Sequence, residues 1–148
     1  MKILNQFKMQ LTARSSNESF ARCAVASFIS QLDPTLEEIS DIKTADSEAV
    51  TNCIVHAYNE QLGTIYITVR ILENNKISIK IRDKGCGIAD IKQAMQPMYS
   101  SLGGERAGIG FAVMESFMDK LTVSSRVGYG TTVIMHKQIS MRADETRA

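Results

Sequence analysis

One stretch constrains the fold more than any other. In "TIYITVRILENNKISIKIRDKG", Ile65, Ile67, Val69 and Ile71 alternate with Tyr66, Thr68 and Arg70, and Ile77, Ile79 and Ile81 alternate with Ser78, Lys80 and Arg82. A period of two with β-branched residues on one side marks strands with one buried face. The polar "ENN" between the two runs predicts a hairpin. Its apolar face must be covered by something, and in a domain of this size helices are the usual cover.

The rest of the chain supplies that cover. "QFKMQLTA" puts Phe7, Met9, Leu11 and Ala13 on one face of another strand. In "SSNESFARCAVASFISQL", Ser16 or Asn17 is expected to cap a helix. Phe20, Ala24, Phe28 and Leu32 recur there at helical spacing beside Val25 and Ile29, and Asp33-Pro34 ends the run. A longer helix is expected over about residues 35–58, burying Ile39, Ile42, Val50, Cys53 and Ile54. A weak helix near 90–96 leads into "PMYSSLGGERAG", a Gly/Ser-rich stretch that reads as a loop. "IGFAVMESFMDK" is helical, with Phe111, Met114, Phe117 and Met118 on one side. "LTVSSRV", the turn "GYG" and "TTVIMHKQI" form a closing hairpin. The element order predicts an α+β two-layer sandwich, with a mixed but mostly antiparallel sheet and helices on one face. A single domain over residues 1–140 and a flexible tail over 141–148 are expected.

Composition narrows the function classes. Hydrophobic residues make up 44% and charged residues 22% of the 148, which is ordinary for a globular domain. The net charge of +1 offers no overall field for nucleic acid or an anionic membrane. No apolar run is long enough to span a bilayer, and the opening "MKILNQFKMQL" lacks the pattern of a leader peptide. Cys23, Cys53 and Cys86 are scattered and form no CxxC pair, which disfavours a zinc site or a disulfide framework. A cytoplasmic protein is expected.

Four places carry chemistry. On the long helix, Glu48, Asn52 and His56 recur every four residues and share a face. Read alone, that row is also what a solvated helix edge looks like. Asp83 stands at a strand end before Gly85 and Gly87, where a carboxylate can accept from an exocyclic amine. "GGERAGIGF" brings Gly108 and Gly110 to the start of a helix, where free N–H groups favour phosphate. "GYGTTV" places Gly130-Thr131 at the opening of a strand.

The four pieces in this order resemble the N, G1, G2 and G3 boxes of the GHKL ATP-binding fold, over roughly residues 35–135. Within that superfamily, "LTARSSNESFAR", "LDPTLEEI", "SEAVTN", "GIGFAVMESFMD" and "GTTV" are similar to the anti-sigma-F factors of endospore-forming bacteria. The resemblance implies an ATP- and Mg²⁺-dependent protein-serine kinase. Its partners would be a sporulation sigma factor, which it inhibits, and an anti-anti-sigma factor, which it phosphorylates. It would act as a homodimer, with no direct nucleic acid and no membrane. Carried over by motif, Glu48 is the general base and Asn52 the Mg²⁺ ligand. Asp83 accepts from the adenine amine, with Gly85 and Gly87 beside the base. Gly108 and Gly110 present N–H groups to phosphate, Thr131 supports Asp83, and Arg22 faces protein partners. The chain departs from the family in its lid, where Ser100, Ser101 and Leu102 replace a lysine-bearing stretch and leave Arg106 to reach the γ-phosphate. Cys86 stands between the two glycines of the Asp83 loop as a small filler or a redox site. A related module controlling a stress sigma factor, and an isolated ATPase unit of another machine, are the competing readings.

Overall fold

The computed structural model describes residues 1–59, 61–95 and 104–141, the last stretch with side chains from 109 onward. Five strands form one sheet: β1 (Ile3–Thr12), β2 (Thr64–Leu72), β3 (Lys76–Arg82), β4 (Lys120–Arg126) and β5 (Gly130–Gln138), in the order β1-β2-β3-β5-β4. Every pairing is antiparallel. The expected parallel component is therefore absent among the described residues, because β4 takes the edge and β5 turns back between it and β3. The central hairpin follows the alternation. Ile65, Ile67, Val69, Ile77, Ile79 and Ile81 are all buried. Asn74 and Asn75 take left-handed φ of 64° and 57° in the turn, a conformation asparagine tolerates.

Among the described residues, four α-helices accompany the sheet: α1 (Ser16–Ile29), α2 (Leu36–Asn52), α3 (Ile91–Ala94) and α4 (Gly104–Phe117). α2 packs between α1 and α4. Among the described residues, no helix is long and apolar enough to cross a membrane.

Two local expectations for α1 change. Its N-cap is Ser15, with no side-chain cap bond. Its buried stripe is Ala21, Val25, Ala26 and Ile29, while Phe20 is 57% exposed. Small residues explain the rotation: Ala21 and Ala45, both fully buried, let α1 approach α2 closely. Phe28 still reaches the sheet, edge-on to Phe7 with ring centroids 4.8 Å apart. After a 3₁₀ turn (Ser30–Leu32), Asp33 adopts φ 52° and the chain re-enters a helix at Thr35. The Thr35 hydroxyl accepts from Glu38 N–H, and Glu38 accepts from Thr35 N–H, a reciprocal cap of two free donors. Glu38 also accepts from Ser140 N–H at 2.8 Å, which anchors the chain after β5. Of the flexible tail expected over 141–148, residues 142–148 lie outside the described residues.

α2 does not stop cleanly. It passes into a π-helical turn over Cys53–Ala57. Such turns are rare and recur at functional sites. Here the turn carries the chain from the Glu48/Asn52 face toward the end of the sheet.

Candidate active site

A cavity of about 420 Å³ opens between this π turn, the loop after β3, and the start of β5. Asn52, Cys53, Asp83, Cys86, Gly87 and Thr131 line it. Asp83 is 5% exposed and firmly held. Its Oδ1 accepts from Gly85 N–H at 2.9 Å and Thr131 N–H at 3.1 Å. Its Oδ2 accepts the Cys53 thiol at 3.6 Å. Burial pushes the Asp83 pKa up, and the two N–H groups and the thiol oppose that rise. Burial and the facing Asp83 carboxylate push the Cys53 thiol well up, so it keeps its proton and donates. Thr131 thus supports Asp83 through its backbone, and Asp83 N–H returns a bond to Thr131 O at 2.9 Å.

The glycines of this corner make room for the protein's own backbone. A side chain on Gly85 would strike the Ala57 carbonyl. Gly87, at φ +77°, packs against the Arg126–Val127 backbone. Two further residues fasten the corner, and neither is visible in the sequence. Tyr58 Oη donates to Thr64 O at 2.6 Å and accepts from Lys84 N–H at 2.7 Å. Ser125 Oγ accepts from Ile88 N–H at 2.7 Å and lies 2.8 Å from Thr131 Oγ1. Tyrosine at a helix end and serine in a strand carry no local signal of such roles. Cys86 is exposed, and its Sγ lies 3.5 Å from the carbonyls of His56 and Gly87.

Glu48 and Asn52 sit one turn apart on α2 and meet α4 at Gly110. A methyl group on Gly110 would approach Glu48 Oε2 and Asn52 Oδ1 to 3.1 Å each. Both polar atoms of the Asn52 amide are buried, with no hydrogen-bond partner among the described residues. α4 begins at Gly104, earlier than expected, so Gly108 and Gly110 lie inside the helix rather than ahead of it. Glu105, Arg106 and Ala107 favour helix enough to outweigh the flanking glycines. The side chain of Arg106 and the lid residues Ser100, Ser101 and Leu102 lie outside the described residues.

Arg22 is not in the cavity lining. It pairs with Glu18 one turn earlier on α1, at 3.2 Å. Facing the same region from α2 is Asp46, which is wholly buried, with neither carboxylate oxygen hydrogen-bonded among the described residues. Its pKa is pushed up to about 8 by burial and then by Glu18, against a smaller opposing pull from Arg22. The sequence pattern gave no hint of it, because a carboxylate there reads as part of a polar edge.

A sandwich of this topology, with a helix asparagine beside a cavity that ends on a strand-end aspartate, is the frame of a nucleotide-using kinase or ATPase domain. Residues 11–137 match the family described as "Histidine kinase-like ATPase domain". The RsbU and RsbW domains of a Mycobacterium tuberculosis protein share the fold, with a TM-score of 0.67 at 18% identity over 94% of this chain and 33% of that one. The Erythrobacter litoralis blue-light-activated histidine kinase domain also shares it, with a TM-score of 0.55 at 19% identity over 82% of this chain and 60% of that one. Among curated proteins, the Anti-sigma F factor of Caldanaerobacter subterraneus subsp. tengcongensis is 54% identical, covering 94% of this chain and 97% of the relative. That of Clostridium acetobutylicum is 49% identical, covering 95% and 98%. The chain belongs to the anti-sigma F factor family of histidine kinase-like ATPase domains.

Proposed function

We propose that the chain is an ATP-dependent protein-serine kinase that inhibits a sporulation sigma factor and phosphorylates a serine of that factor's anti-anti-sigma antagonist. The observation that carries the reading is Glu48 one helical turn from the Asn52 amide, which is buried with no hydrogen-bond partner among the described residues, beside a cavity that ends on Asp83.

In this reading the adenine base enters the cavity and its exocyclic amine donates to Asp83 Oδ2. Ionised Asp83 is an acceptor only, so it favours that amine over a carbonyl. Glu48 takes the proton from the attacking serine hydroxyl. Phosphoryl transfer asks mainly for such positioning and for charge neutralisation. Asn52 fits the Mg²⁺ site, because its buried Oδ1 has no donor among the described residues and Mg²⁺ takes amide oxygen as a ligand. Among the described residues no cluster of three His, Cys, Asp or Glu stands ready to hold a metal by itself. A bound Mg²⁺ would neutralise phosphate charge. Gly108 and Gly110 keep the α4 backbone clear of side chains near the phosphates, with Arg106 as the lid cation. Arg22 faces the protein partners, and two copies of the chain form the working unit in the cytoplasm.

The test mixes the protein with Mg-ATP, a sporulation sigma factor and its candidate anti-anti-sigma proteins. Phosphoserine on an antagonist, with release of the sigma factor when the antagonist is unphosphorylated, supports the reading. Tight ATP binding with no transfer to any antagonist overturns the kinase half.

A further inference from the structure

The Asp83 carboxylate is gripped at both oxygens, and the grip on Oδ2 is a cysteine. Both backbone N–H groups, from Gly85 and Thr131, reach the same oxygen, Oδ1. They hold Oδ1, and the carboxylate keeps the play that small concerted changes of χ1 and of its broad χ2 well allow. The Cys53 thiol, 3.6 Å from Oδ2, narrows that play and takes one of the Oδ2 lone pairs. Cys53 is 4% exposed and shares the cavity lining with Asp83. It is the first residue of the π turn, and its own N–H is shared between the Ala49 and Val50 carbonyls. The lone pairs then sort themselves. Each carboxylate oxygen accepts at about two sites. Those of Oδ1 are filled, and one on Oδ2 is taken by sulfur. What remains for a ligand is one aimed acceptor position.

We propose that Cys53 is a positioning residue for purine selection: its thiol fixes Asp83 so that the free lone pair of Oδ2 favours a 6-amino purine over a 6-oxo purine. The inference rests on the adenine-nucleotide reading above. A 6-amino group donates to that lone pair. A 6-oxo group presents its own lone pair and repels it, leaving a buried acceptor unpaired. A carboxylate free to turn keeps the attraction in some orientations but loses the aimed repulsion, so discrimination falls further than affinity. A small apolar residue at position 53 would fill the same space and leave Oδ2 unheld.

The test measures Mg-ADP and Mg-IDP dissociation constants by calorimetry for the wild type, Cys53→Ala and Cys53→Ser. The wild type is expected to prefer ADP. Cys53→Ala should lower the ADP/IDP preference by about 3- to 10-fold, the range one modest hydrogen bond covers. Cys53→Ser, still a donor, should restore it. If Cys53→Ala does not fold, Cys53→Val removes the donor while keeping the volume. An unchanged preference, an equal loss for both nucleotides, or failure of serine to rescue would overturn the role of Cys53. A wild type that binds neither nucleotide would overturn the adenine-site reading itself.

Discussion

Replacing Asp46 with asparagine should make the protein more stable at neutral pH, by an amount that grows with pH. Asp46 is buried without a hydrogen bond among the described residues, and its pKa stands at about 8 instead of 3.8. The folded state therefore holds a proton that the unfolded state releases over most of that window. Stability contributed by protonated Asp46 is full below the unfolded value and declines as pH rises toward 8. The slope is about 1.4 kcal/mol per pH unit, so the total by pH 7 is on the order of 4 kcal/mol. Asparagine cannot ionise and removes that slope. Urea unfolding of the wild type and Asp46→Asn at pH 5, 6, 7 and 8 isolates the effect, because every other titrating group is common to both. The stability difference should widen at close to that full slope, about 1.3 kcal/mol per unit, from pH 5 to 7 and level off above 8. Parallel curves would refute the reasoning and mean that Asp46 finds a partner or water when folded.

Three further outcomes follow from particular contacts. Gly110→Ala adds about 0.5–1 kcal/mol of helix propensity to α4 but sets a methyl group 3.1 Å from Glu48 Oε2 and Asn52 Oδ1, so phosphotransfer should fall whichever way the melting temperature moves; thermal melting and a transfer assay separate the two effects. Thr35→Ala removes the reciprocal cap of α2 and should cost about 1 kcal/mol in urea unfolding. With a disulfide thiol reagent, the exposed Cys23 and Cys86 should react fast and the buried Cys53 slowly; Mg-ATP should slow Cys86 and Cys53, which line the cavity, and leave Cys23 unchanged, read by mass mapping of the labelled peptides.

The sheet was legible because strict alternation at Ile65–Ile71 and Ile77–Ile81 leaves one choice of buried face. The face of α1 was harder to read. Large Phe20 suggested core, but close helix packing selected small Ala21 and left Phe20 outside. The start of α4 was hidden by glycines that read as loop. Within the site, Asp83 and Thr131, far apart in sequence, are brought into direct contact. The sequence marked each as an end of a strand, and pairing of β3 with β5 joins them. Tyr58, Ser125 and Cys53 were missed or left without a role, because their bonds are tertiary and no local pattern encodes them. Asp46 escaped notice for the same reason.

The role proposed for Glu48 is that of base in a serine-directed phosphoryl transfer fed by nucleotide in the Asp83 cavity. Single-turnover transfer from Mg-ATP to an anti-anti-sigma protein, measured for the wild type and Glu48→Ala beside their ATP affinities, tests it most directly. Phosphoserine is expected with the wild type, and with the variant ATP affinity is kept while transfer falls about 10²–10⁴-fold. Transfer at the wild-type rate by Glu48→Ala would contradict it.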